Sequence, residues 1–385
     1  MHNLTSDVLP PLSLYIHIPW CIKKCPYCDF NSHQENNIPE DDYVQALLED
    51  LTIDTSFVQG RAIDTIFFGG GTPSLLSATA LNRLLAGVRE LVPVNPTAEI
   101  TLEANPGTFE QDKFSDYFKA GINRLSIGIQ SFQPTQLITL GRIHNQDEAT
   151  RAANIAHQAG FKELNLDLMY GLPNQTVSEA LNDLSRAVAL NPSHLSWYQL
   201  TIEPNTVFYT KPPTLPEDDN LWDIQEAGQA FLKKQGFEQY EISAYAKPGH
   251  QCQHNVNYWQ FGDYIGIGAG AHGKITLSNT KEIIRTQKTR TPRDYLNPHK
   301  TYLSQSSVVK QEELAMEFFM NAFRLNQGVD KAHFFQRTHN QTIPDLTHQA
   351  LQRALEQGLL EEDLTSWRPT DLGREHLNTL LQLFI

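Results

Sequence analysis

Apolar residues recur along this chain with two different periods. Short runs rich in Val, Ile, Leu and Phe predict strands over 12–19, 64–68, 99–103, 124–130, 164–169 and 195–202. Between them, apolar residues three and four apart predict helices near 41–58, 77–91, 109–120, 147–159 and 176–190. In ALNRLLAGVREL, for example, Leu81, Leu84, Leu85 and Val88 share one helical face. Six strand–helix repeats imply a parallel sheet covered by helices, either open and doubly wound or closed toward a barrel.

The strand ends decide between the two. Five expected strands run directly into polar or Gly-rich clusters: a cysteine loop, GGGTP at 69–73, EANPG at 103–107, IQSF at 129–132 and DLMYGLP at 167–173. An open sheet gathers its site at one switch point, whereas a barrel collects chemistry from many strand ends. The distributed clusters predict an α/β fold with a partial (β/α)6 TIM-type barrel over 1–205. After Pro204 the pattern changes. A Pro-rich acidic connection at 211–220 leads to a helix near 220–235 and a strand near 239–245, within a connecting α/β region over 206–305. From 306 to 385 helices dominate, at 312–325 and 346–360, followed by a polar turn, a short extended piece at 367–369 and another helix. That order suits a mainly helical, winged-helix-like domain.

Composition narrows the classes. Thirty Lys+Arg against 44 Asp+Glu leave a net charge of −14, which argues against nucleic acid as a partner. No apolar run approaches the roughly 18 residues of a membrane-spanning helix. The first basic residue is Lys23, so a secretory signal with a basic start is not expected, and the chain reads as cytoplasmic. Of four cysteines, Cys21, Cys25 and Cys28 fall within eight residues and Cys252 stands far away. In a reducing compartment this spacing suggests a metal centre rather than crosslinks. Three thiolates on one [4Fe–4S] cluster leave one iron open to a small molecule. Zinc, completed by His33, is the competing reading, and would make the chain an interaction module without redox chemistry.

The string YIHIPWCIKKCPYC, with C-x3-C-x2-C directly after the first strand, resembles the radical S-adenosylmethionine superfamily. Together with GGGTPS, EANPGT, SIGIQSF, LGRIH and DLMYGLPNQT it resembles the anaerobic coproporphyrinogen oxidase-like family over most of the chain. The resemblance implies that Cys21, Cys25 and Cys28 hold the cluster and that S-adenosylmethionine chelates its fourth iron. It further implies that Tyr15, Gly70 and Glu103 contact that ligand. Gly71, Thr72, Gln130, Arg142 and Asp167 match positions that contact a second molecule in the oxidase, and Tyr27 completes the implied set. The glycines of GGGTP are expected to expose backbone groups to the ligand.

Two departures from the oxidase point to the branch of this family described as haem chaperones. Phe30 stands where the oxidase has a fourth cysteine, and the oxidase carries a longer segment before its cluster. Phe30 supplies neither proton nor ligand, so a radical oxidoreductase acting on coproporphyrinogen III or a related tetrapyrrole is the alternative rather than the first reading. At 254–258 the chain carries H-N-x-x-Y, associated with haem in that branch, and His254 is the expected haem ligand with His250 and Cys252 as rivals. The implied partners are haem and an acceptor protein, either a membrane respiratory subunit reached by peripheral contact or a haem store. A basic stretch at 274–293 (Lys274, Lys281, Arg285, Lys288, Arg290, Arg293) reads as a solvated hairpin face, or as a site for porphyrin propionates or an acidic partner. GDYIGIGAGAHG at 262–273 matches G-x-G-x-x-A, but a strand or turn follows rather than a helix, which excludes a dinucleotide loop.

Overall fold

A computed structural model describes residues 8–108 and 111–385. All six expected strands form: β1 (Leu12–Ile18), β2 (Ile63–Gly70), β3 (Val94–Ala104), β4 (Arg124–Gln130), β5 (Glu163–Tyr170) and β6 (His194–Gln199). The largest departure is at β3, which starts five residues early. Pro96 hides that start, because it sits in a register break between Ile63↔Val94 and Thr65↔Glu99 where no ladder N–H is required. The intervening helices are α1 (Glu40–Asp54), α2 (Ala78–Leu91), α3 (Gln111–Ala120), α4 (Gln146–Ala159) and α5 (Val177–Ala189). The first two positions of the helix expected over 109–120 lie outside the described residues.

Local chemistry sets the helix ends. Ser77 Oγ accepts the Ala80 N–H at the start of α2. Asn145 with Glu148, and Thr176 with Glu179, form reciprocal capping boxes on α4 and α5. Gly160, at φ +104°, closes α4 in a left-handed conformation. Along β1, Leu12, Leu14, Ile16 and Ile18 enter the core beneath the helices, while Tyr15 and His17 point to the other, concave face, where they line a cavity.

The helix expected near 220–235 is α6 (Asp218–Lys234), and the strand expected near 239–245 is a hairpin of β7 (Glu238–Glu241) and β8 (Ala244–Ala246). A short helix, α7 (Gln253–Trp259), precedes β9 (Asp263–Ile267), β10 (His272–Thr276), β11 (Ile283–Lys288) and β12 (Leu303–Val308). These strands make one sheet ordered β12-β11-β10-β9-β1-β2-β3-β4-β5-β6-β8-β7. The six repeats are joined by a seventh parallel strand, β9, which lies beside β1 with Leu12↔Asp263 through Ile16↔Ile267. The barrel is partial, because β12 and β7 remain edges. Side chains from 224 to 295, including Ile224, Tyr245, Ile265 and Tyr295, share the core of the first 205 residues.

The C-terminal region runs α8 (Gln311–Ala322), β13 (Val329–Asp330), α9 (Lys331–Thr338), α10 (Asp345–Glu356), β14 (Leu360–Glu362) and β15 (Ser366–Pro369), with the sheet ordered β13-β15-β14. This is the helix–strand–helix–helix–hairpin order of a winged helix. Phe318, Phe319, Phe334 and Trp367 pack ring on ring in a separate core. Among the described residues no helix is long and apolar enough to cross a membrane.

Helix α6 reaches the sheet only because Gly228 lacks a side chain. A Cβ there would stand 1.9 Å from the ring of Trp197, itself 2 % exposed. Gly228→Ala is expected to cost about 1–3 kcal/mol through overpacking, despite alanine's better helix propensity. Urea unfolding monitored by circular dichroism measures it, and an unchanged or raised midpoint would contradict this account of the α6 contact.

Candidate functional site

The loop after β1 carries the three clustered cysteines. A two-stranded bridge pairs Trp20–Cys21 with His33–Gln34, and Cys28 N–H donates to Cys25 O at 3.2 Å. All three thiols are free, partly exposed and line one cavity of about 430 Å³ at the C-terminal ends of the parallel strands. Each has a polar neighbour: Thr72 Oγ1 donates to Cys21 Sγ at 3.6 Å, Arg142 Nη1 donates to Cys25 Sγ at 3.7 Å, and Ser32 Oγ lies 3.8 Å from Cys28 Sγ. Burial pushes the Cys21 and Cys28 thiols up, so in the bare loop these two favour the protonated form.

This donor set fits an iron–sulfur cluster. A cluster offers each thiolate a separate iron, and hydroxyl and guanidinium donors suit anionic sulfur. A single ion needs its ligands to converge on one point. Among the described residues no three His, Cys, Asp or Glu side chains are gathered closely enough for that. His33, the fourth ligand of the zinc reading, instead has its Nε2 3.2 Å from Asn31 Oδ1.

Around the same cavity stand Tyr27, Gly70, Gly71, Thr72, Glu103, Gln130, Arg142 and Asp167. The glycines act differently from the expectation. Gly70 has φ +116°, and a Cβ on it would meet the His17 ring at 2.5 Å; one on Gly71 would meet Trp20 O at 2.5 Å. Their close approach is to the chain itself. The N–H groups are also committed: Gly71 donates to Ile18 O, Thr72 to Trp20 O and Gly70 to Glu103 Oε2. Gln130, at φ +69°, holds a left-handed conformation uncommon outside glycine, and its Oε1 accepts from Tyr198 at 2.7 Å. Asp167 accepts from Asn165 and Ser126 at 2.7 and 3.0 Å. Arg142 donates to Gly128 O at 2.6 Å and also to Asn105 Oδ1. Asn105, Tyr198 and Arg324 line the cavity without having been singled out in the sequence. Asn105 lies inside EANPG and Tyr198 near a strand end, so their positions carried a signal. Arg324, stacked 4.2 Å over Trp259, comes from the C-terminal region and carried none.

Three expectations are placed elsewhere. Tyr15 lines an adjoining cavity, with its OH 2.9 Å from His17 Nδ1. His254 lines neither cavity. It is 1 % exposed, in α7, and both ring nitrogens are engaged: Nδ1 lies 2.7 Å from Thr65 Oγ1 and Nε2 2.8 Å from Tyr258 OH. Thr65 spends its own proton on Ser13 Oγ, which makes Nδ1 the protonated nitrogen and Tyr258 the donor to Nε2. Burial pushes this imidazole down to about 3. In this fold neither nitrogen is open to a ligand. The rivals line neither cavity. His250 Nδ1 lies 2.8 Å from Glu163, and buried Cys252 donates to Glu99 at 3.6 Å. Finally, the basic stretch is a solvated face only in part, with Arg290 and Arg293 exposed. Lys274 and Lys288 are buried, the first against Asp263 at 3.0 Å and the second between Asp50 and Asp54 at 2.5 and 2.6 Å, while Arg285 pairs with Glu317.

Glu103 holds a perturbed carboxyl in this site. Burial, reinforced by Asp167, raises its carboxyl from 4.5 to about 8, against the opposing Gly70 hydrogen bond. The folded chain therefore binds this proton more tightly than the unfolded chain does, and stability is lost as pH rises from the ordinary value toward 8. Glu103→Gln, which does not titrate, is expected to gain melting temperature over the parent progressively between about pH 5 and about pH 9. A pH-independent difference in a ligand-free thermal melt would show that Glu103 is not so perturbed.

Comparison with known proteins gives the family and the fold. Residues 15–187 match the Radical SAM superfamily, and residues 309–376 match the HemN C-terminal domain. The fold is that of coproporphyrinogen III oxidase (HemN) from Escherichia coli, with a TM-score of 0.83 over 98% of this chain and 90% of that one, at 24% identity. Among curated relatives, "Heme chaperone HemW" of Escherichia coli (strain K12) is 55% identical over 98% of this chain and 99% of its own length. The Haemophilus influenzae protein of the same name is 52% identical over 98% of each chain, and that of Bacillus subtilis 33% over 97% and 99%. With a relative 55% identical over 98% of its length, the chain belongs to the HemW family of the radical S-adenosylmethionine superfamily.

Proposed function

We propose that this protein is a cytoplasmic haem chaperone that holds a [4Fe–4S] cluster, binds S-adenosylmethionine beside it and passes haem to an acceptor protein. One observation carries this reading: the 55% identity to a protein named a haem chaperone spans 98% of this chain. Cys21, Cys25 and Cys28 are the cluster ligands. When bound, the cluster supplies one iron without a protein ligand, open to the amino and carboxylate groups of S-adenosylmethionine. The residues that receive that molecule are those of the shared cavity. Glu103, held by Gly70, meets hydroxyls or an ammonium; Thr72, Gln130, Arg142 and Asp167, which match second-molecule positions of the oxidase, line the same cavity; Tyr27 packs beside Phe208. The acceptor is a membrane respiratory subunit, met by peripheral contact, or a haem store.

Phe30 favours carriage over oxidation. It stands at the position of the oxidase's fourth cysteine and is 63 % exposed, and its benzyl group neither donates a proton nor ligates iron. Anaerobic incubation with coproporphyrinogen, S-adenosylmethionine and a reductant is expected to give no protoporphyrinogen. Robust turnover would replace the chaperone reading with the oxidase one.

Anaerobic reconstitution with iron and sulfide tests the cluster assignment. Alanine at Cys21, Cys25 or Cys28 is expected to abolish the brown absorption, whereas Cys252→Ala keeps it, because that thiol lies against Glu99. A parent chain that stays colourless, or a Cys28→Ala variant that keeps full colour while Cys252→Ala loses it, would overturn the ligand set.

A further inference from the structure

Beside the cluster cavity lies a second one, of about 530 Å³, within the roughly 300–1,000 Å³ of small-molecule sites. Phe30, Gly70, Glu103 and Trp259 line both, so the two spaces adjoin. Its walls are aromatic: Tyr15, Tyr258, Trp259, Phe261 and Tyr264. Tyr258 and Tyr264 meet edge to face, with centroids 4.6 Å apart. Such a lining suits a flat apolar ring system.

The polar groups on these walls suit a ring bearing a metal and carboxylates. Two imidazoles line the space. His17 is committed, with Nδ1 2.9 Å from Tyr15 OH and Nε2 2.9 Å from Asn31 O. His272 differs. It is exposed, starts β10, and among the described residues no hydrogen bond to its ring is found. Its backbone is fixed by pairing with Gln287 and by Gly266, where a Cβ would stand 1.9 Å from His272 O. Partial burial and the nearby Arg285 push this imidazole down, which keeps it neutral and able to ligate. Arg285 donates to Tyr264 OH at 2.9 Å and twice to Glu317, leaving two of its five N–H donors for a carboxylate.

We propose that this second cavity is the haem site, with His272 as the axial protein ligand and Arg285 facing a propionate. The inference rests on the chaperone reading above and gives it a place. His254 then becomes a positioning residue. Through Thr65 Oγ1 on one side and Tyr258 OH on the other it fixes an aromatic wall of the cavity without touching its occupant.

Titration of the full-length chain, free of cluster, with ferric haem tests this by absorption and electron paramagnetic resonance. The parent is expected to give a sharp Soret band with an imidazole-ligated signal. His272→Ala is expected to bind at least ~10-fold more weakly and to lose that signal. His272→Tyr is expected to regain binding with a phenolate-type spectrum, which a merely structural residue would not produce. His254→Ala, if folded by circular dichroism, is expected to keep the parent's axial signature even where affinity falls; should it unfold, the two His272 variants still decide. Parent-like affinity and spectrum in His272→Ala would overturn this assignment while leaving the chaperone reading intact. A parent that binds no haem would remove both.

Discussion

The parallel pairing of β9 with β1 is the constraint on which the site depends. It places residues 263–267 against residues 12–16, across some of the longest sequence separation in the chain, and such a contact must repay a large loop-closure entropy. Once made, it puts the β9–β10 hairpin beside the cysteine loop that leaves β1. Asn31, inside that loop, donates to Ala269 O and Arg290 O, both at 2.9 Å. Tyr43 on α1 donates to His17 O and accepts from Ala269 N–H. Helix α7, just upstream of β9, is drawn onto the concave face, where Asn257 donates to Ser13 Oγ. Both cavities are therefore walled by the two halves of the chain together.

Buried charge pins this junction in register. Asp263, at the first position of β9, gathers Arg61, Lys274 and the backbone and hydroxyl of Thr276, and these partners hold its carboxyl below the usual range despite burial. Lys288 closes β11 onto α1 through Asp50 and Asp54. Desolvation offsets much of the attraction in such pairs, so they add little net stability. Leaving one partner alone inside nonetheless costs on the order of 3–5 kcal/mol. Their contribution is to the choice of arrangement, since a one-residue slip of β9 would strand these charges.

What the sequence discloses follows the range of each interaction. The six repeats, the capping residues and the C-x3-C-x2-C loop are local patterns, and they are legible. So were most cavity residues, because each sits at a strand end already marked by Gly, Pro or carboxylates. The parallel role of β9 was not legible, since its Gly-rich sequence carries no indication of its neighbour. Lys274 and Lys288 looked like a surface patch because their carboxylate partners lie 11 and more than 230 positions away. The engagement of His254 was hidden for the same reason, as Thr65 is 189 residues distant.

Four residues belong to the walls of both cavities, and this has a thermodynamic consequence. Phe30 and Trp259 cannot shift to fit one occupant without reshaping the space left to the other, and the charge state of Glu103 is felt on both sides. Where a shared wall couples two binding free energies, the coupling is reciprocal. Whatever factor the filling of one compartment imposes on the other is returned in equal measure.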